Sequence, residues 1–67
     1  MSVARITEMS VSSPKSFDAA LQEGVERAHR TIRNVKSAWI GDQEVVINNG
    51  KIVDYRLKLK VTFVVDD

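Results

Sequence analysis

The stretch VDYRLKLKVTFVV, residues 53–65, puts an apolar side chain at every odd position (Val53, Tyr55, Leu57, Leu59, Val61, Phe63, Val65) while its even positions are mostly charged. A period of two is the signature of a strand with chemically opposite faces. The odd face, from Tyr55 to Phe63, needs an apolar cover. The even face lines up Arg56, Lys58 and Lys60, where a ligand or a second subunit can meet them.

Working upstream, Asn49-Gly50 before Lys51 is a strong hairpin signal, because a type I′ turn needs positive φ at both central residues. Residues 37–47 then form the partner strand, with Asn48 opposite Lys51. Counting back from the turn sets Ile40 opposite Leu59, Ala38 opposite Val61 and Val46 opposite Val53 on the core face. On the other face Trp39 meets Lys60, Gly41 meets Lys58 and Gln43 meets Arg56. Slipping this register by one residue would turn every side chain to the wrong side.

The apolar cover is supplied earlier in the chain. Phe17, Ala20, Leu21, Gly24, Val25, Ala28, Thr31, Ile32 and Val35 recur at three- and four-residue intervals, one stripe of a helix. Ser13 followed by Pro14 suits its start, a serine cap with proline in the first turn. Glu23 with Arg27, and Glu26 with Arg30, are four-residue pairs on a solvated back. Before the helix, residues 3–9 read as a first strand that residues 10–13 interrupt. The expected fold is α+β, ordered β-α-β-β: a three-stranded antiparallel sheet wrapped around one helix, in one domain spanning residues 1–67.

Length and composition exclude several functions. A chain of 67 residues buries only about 60% of its unfolded surface, so oligomerisation is the usual support. Without cysteine there is no disulfide and no thiolate metal site, and one histidine cannot build a multi-histidine centre. Ten basic and nine acidic residues give no large field, so electrostatic recognition is local. The opening MSVARITEMS lacks the cationic lead and apolar run of a signal peptide, and no apolar stretch is long enough to span a bilayer. A cytoplasmic protein without membrane contact is expected.

Catalytic groupings are likewise absent from the pattern. His29 lies at the margin of the helix stripe with no carboxylate at helical spacing on that margin, and is expected to be a partly buried packing residue. Asp42-Gln43-Glu44 and Asp66-Asp67 are the available carboxylates; adjacent ones on a strand point to opposite faces, and neither cluster is expected to make a catalytic pair or a calcium loop. Gly24, Gly41 and Gly50 are isolated, so there is no phosphate-cradling loop. The protein is expected not to be an enzyme. A divalent cation shared between subunits is compatible with the sequence, without assigned ligands.

Trp39 is the residue the monomer's core does not need. On the charged face it either enters a subunit interface or stacks on a planar ligand. Arg56 beside it either pairs with a ligand phosphate or carboxylate, or forms an inter-subunit salt bridge. Lys60, opposite Trp39, is placed for a cation–π contact. Nucleic acid is not expected, since an open binding sheet usually carries more than one stacking aromatic.

In this order and at this length, several short segments resemble the dodecin family. They are Thr7-Glu8-Met9, Ser12-Ser13-Pro14 with Phe17, Glu26-Arg27-Ala28, Thr31-Ile32-Arg33-Asn34-Val35, and Tyr55 with the run to Val61-Thr62-Phe63. The resemblance implies a hollow homododecamer of cubic symmetry that binds and stores a flavin, riboflavin or FMN, without turnover. It implies Trp39, Gln43, Arg56 and Ser37 as the cofactor-binding set. Two slots depart from the flavin binders: Ser37 stands where the stacking tryptophan belongs, and Arg56 follows Tyr55 in place of glutamine. Trp39 comes two positions late, about 6.6 Å along the strand. The segment Tyr55-Arg56-Leu57-Lys58-Leu59 is more similar to the branch described as cation-binding dodecins, which implies a structural dodecamer with a divalent-cation or anion site between subunits.

Overall fold

The computed structural model describes residues 3–65. Strand β1 (Val3–Ser13) leads to helix α1 (Phe17–Thr31), then β2 (Val35–Asn48) and β3 (Lys51–Val65). The three strands form one antiparallel sheet in the order β1-β3-β2, so the alternating strand that decides the fold is the central one. The β-α-β-β order and the helix-covered sheet agree with the sequence reading.

Helix α1 packs chiefly on β1 and β3. Its stripe brings Ala20 and Ala28 to full burial against Leu57, Leu59 and Val61, with Met9, Val11, Phe17, Leu21, Ile32, Val35 and Ala38 around them. Small residues at the contact allow close approach. At Gly24 an added Cβ would lie 2.7 Å from Val11 Cγ1 and 3.0 Å from Leu59 Cδ1. At the start of the helix Phe17 and Tyr55 meet edge to face, with ring centroids 5.2 Å apart and planes at 74°.

Three boundaries differ from expectation. Strand β1 continues through its serines to Ser13, because Ser10 and Ser12 pair with Lys58 and Arg56 and the β3 ladder satisfies their backbone groups. The helix cap is accordingly Ser16, whose Oγ accepts from Ala19 N at 3.0 Å. Ser13 is buried and its Oγ accepts from Lys15 N at 3.1 Å, shaping the turn before the helix. At the far end, Ile32 N donates to Ala28 O and Asn34 takes φ 59°, turning the chain into β2 at Val35 rather than continuing the helix. The hairpin turn is as read: Asn49 at φ 54° and Gly50 at φ 75°.

Length mismatch sets what remains open. Fifteen strand residues in β3 span about 50 Å, whereas fifteen helical residues in α1 span about 22 Å. The molecule measures 52 × 19 × 13 Å, and its hairpin arm runs past the helix. Ile47, Ile52 and Val53 on that arm are exposed, and Ile40 is exposed on β2 because α1 packs on β1 and β3.

Candidate functional site on the outer face of the sheet

The β2–β3 ladder holds the expected register only in part. Ala38 faces Val61, Trp39 faces Lys60 and Ile40 faces Leu59. Beyond Ile40 the register shifts, and Gln43, Glu44 and Val45 face Leu57, Arg56 and Tyr55. Gly41 and Asp42 together oppose Lys58, a bulge that adds one residue to β2. Glycine suits this point, since a Cβ at Gly41 would lie 3.1 Å from the Lys58 carbonyl oxygen. A second irregularity between Val46 and Ile47 brings Val46 opposite Asp54 and Ile47 opposite Ile52. The pairings of Gln43 with Arg56 and of Val46 with Val53 are therefore corrected.

The bulge divides the expected site. Ser37, opposite Thr62, and Trp39, opposite Lys60, share the face of the sheet turned away from α1, together with Arg56. Gln43, opposite Leu57, shares the helix side by register, where it is exposed because α1 does not extend over it. Even on the outer face, the Lys60 and Arg56 rows are four residues of β3 apart, about 13 Å. Trp39 and Arg56 thus belong to different ends of the face.

Strand β1 completes the surface. Ile6, Glu8, Ser10 and Ser12 stand opposite Thr62, Lys60, Lys58 and Arg56. The cations of β3 are flanked by acids: Lys60 Nζ is 3.8 Å from Glu8 Oε1, and Arg56 lies 3.5 Å from Asp54 Oδ2 and 3.8 Å from Glu44 Oε1. The sequence reading gave Glu8 and Glu44 no ion-pair role and passed over Asp54, although Asp54 and Arg56 share a strand face by spacing alone. Lys60 turns toward Glu8, and no cation–π contact with Trp39 forms among the described residues. Trp39 itself is 67% exposed.

Between these two rows lies an open depression of about 510 Å³, lined by residues that include Glu8, Ser10, Gly41, Asp42, Lys58 and Lys60. Met9 and Leu59 line it as well, and the Gly41–Asp42 bulge borders it on the β2 side. Among the described residues no three His, Asp or Glu side chains gather closely enough to hold a metal ion. His29 is exposed rather than partly buried, because the stripe turns its small residues, not position 29, to the sheet. Asp66-Asp67 lie outside the described residues. No helix among the described residues is long and apolar enough to cross a membrane.

Comparison with known proteins agrees with this architecture. The family model described as Dodecin matches residues 3–66. Calcium dodecin of Mycobacterium tuberculosis is 30% identical over 63 residues, covering 94% of this chain and 89% of that protein. A crystal structure described as the calcium-chelating immunodominant antigen calcium dodecin of M. tuberculosis, with a novel calcium-binding site, superposes with a TM-score of 0.79. It is 32% identical, over 91% of this chain and 87% of that one. Dodecin from Streptomyces davaonensis gives a TM-score of 0.92 at 27% identity, over 98% of this chain and 97% of that one. With the sheet order, the helix cover and the full-length match in agreement, this chain belongs to the dodecin family.

Proposed function

We propose that this chain is a non-catalytic, cytoplasmic binding protein that assembles into a hollow homododecamer and holds a divalent cation between subunits. Its dodecin-like domain spans residues 1–67. The observation that carries the choice of ligand is the Gly41–Asp42 bulge, which takes Gln43 away from the face that bears Trp39 and Arg56. A flavin edge addressed by those three side chains of one subunit is not assembled. Arg56 is already partnered by Asp54 and Glu44, which favours a structural role over capture of a ligand phosphate. The similarity to calcium dodecin supports a cation in place of a flavin.

Self-association is supported by the apolar residues the monomer leaves uncovered on both faces, Ile6 and Trp39 outside, Ile40 beside the helix and Ile47 and Ile52 beyond it. Flavin storage is the second reading, favoured by the exposure of Trp39 beside Ser37 on a sheet face. Native mass spectrometry tests the assembly: twelve chains of 7.5 kDa give about 90 kDa, and a monomer would overturn it. Calcium titration by calorimetry and riboflavin emission then decide the ligand. Calcium heat with unchanged emission supports the cation; quenching without calcium heat replaces it with flavin.

A further inference from the structure

The chain's net charge of +1 conceals a local excess. From Arg27 to Gly41 there is no aspartate or glutamate, while Arg27, Arg30, Arg33 and Lys36 are cationic and His29 lies among them. All five side chains are exposed. Ion pairs among the described residues involve only Arg56 and Lys60 on the basic side, so none of these five is neutralised there. Helical spacing offers Glu26 to Arg30, but Glu26 Oε1 instead accepts from Gln22 Nε2 at 3.3 Å.

These residues frame a depression of about 300 Å³ lined by His29, Arg30, Thr31, Ile32, Arg33 and Asn34. Its backbone is held in place. Val64 N donates to Asn34 O at 3.1 Å, and Asn34 Nδ2 donates to Val64 O at 3.4 Å, tying the turn to β3. A helix C-terminus ordinarily repels anions through its free carbonyls. Here one of them is occupied, since Ala28 O accepts from Ile32 N at 2.8 Å, and one turn inward Arg27 O also accepts from Thr31 Oγ1 at 3.1 Å. The guanidinium groups of Arg30 and Arg33 line the depression, and their planar forks suit the oxygens of a phosphate.

We propose that this depression is an anion site that takes a phosphate group, inorganic or terminal on a small phosphorylated molecule, with Arg30 and Arg33 as its principal donors. The site lies on the α1–β2 turn, apart from the outer face of the sheet, and does not depend on the ligand held there.

The test is calorimetric titration of the full-length protein with inorganic phosphate and, separately, with ribose 5-phosphate at low salt. Binding of either is expected, weakened about tenfold or more in the Arg30→Gln/Arg33→Gln double variant. Arg30→Gln alone should give an intermediate loss. Lys58→Gln, on the outer face, should leave the affinity unchanged. Mutual competition between the two probes supports one shared phosphate site, and binding of the sugar phosphate alone assigns the site to the phosphorylated molecule. Circular dichroism and native mass confirm that each variant folds and assembles. The proposal is overturned if phosphate and ribose 5-phosphate give no heat up to about 10 mM, or if Lys58→Gln weakens binding as much as the double variant does. It is also overturned if anionic vesicles bind this surface and neither probe displaces them. Calcium heat and assembly mass are read on the same variants, so failure here is distinguishable from failure of the cation reading.

Discussion

Trp39 and Lys60 stand directly opposite each other across β2 and β3, yet the Lys60 ammonium lies 3.8 Å from Glu8 on the far flank. The carboxylate on one edge strand thereby draws the central cation away from the aromatic ring on the other. Glu8→Gln should release Lys60 toward the ring and shift Trp39 emission, which reports a single site because the chain has one tryptophan. The shift should vanish in Glu8→Gln/Lys60→Met. Both partners are more than half exposed, so urea stability should change by less than about 1 kcal/mol in either variant.

Ligand choice is predicted to hinge on Ser37. The position lies on the outer face opposite Thr62, two residues from Trp39, in the slot where the family resemblance implies a stacking aromatic. On the cation reading, Ser37→Trp combined with Arg56→Gln should raise riboflavin quenching at micromolar protein above that of the unaltered chain. Unaltered emission in the double variant would show that the displaced Gln43, and not the missing ring, is the limiting defect.

The approach of α1 to the sheet is limiting at Gly24. Alanine there gains about 1 kcal/mol of helix propensity but sets a methyl group against Val11 and Leu59. Valine is stiff at χ1 and cannot swing aside. Overpacking of this kind costs about 1–3 kcal/mol, so Gly24→Ala should be net destabilising by about 1 kcal/mol in urea. Adding Val11→Ala should recover part of that loss relative to Val11→Ala alone, and simple additivity would count against the contact.

The two serines before the helix are predicted to behave differently. Ser16→Ala removes the side chain that accepts from Ala19 N and should cost about 1 kcal/mol through loss of the cap. Ser13 is buried at the end of β1 and its hydroxyl holds the Lys15 amide, so Ser13→Ala should perturb the β1–α1 turn without fraying the helix. Amide exchange over the first turn of α1 separates them: faster at Ala19 and Ala20 in Ser16→Ala only.

Period-two alternation in β3, the small-residue stripe of α1 and the Asn49-Gly50 turn are local patterns. Each names its own structure because the side-chain period or the demand for positive φ is contained within a few residues. Those patterns were enough to determine the β-α-β-β order, the helix-facing side of the central strand and the exposure of Trp39 and Arg56. The bulge at Gly41–Asp42, the extension of β1 through Ser13 and the transfer of the cap to Ser16 were decided by tertiary structure. The backbone partners of the bulge and of the β1 extension lie on β3, more than ten residues away, and no local pattern reports whether a distant ladder will close; the cap moves to Ser16 because that ladder takes up Ser13. The division of the expected site has the same origin: one residue added to an edge strand reverses every face beyond it, and Gln43 lies just past that point.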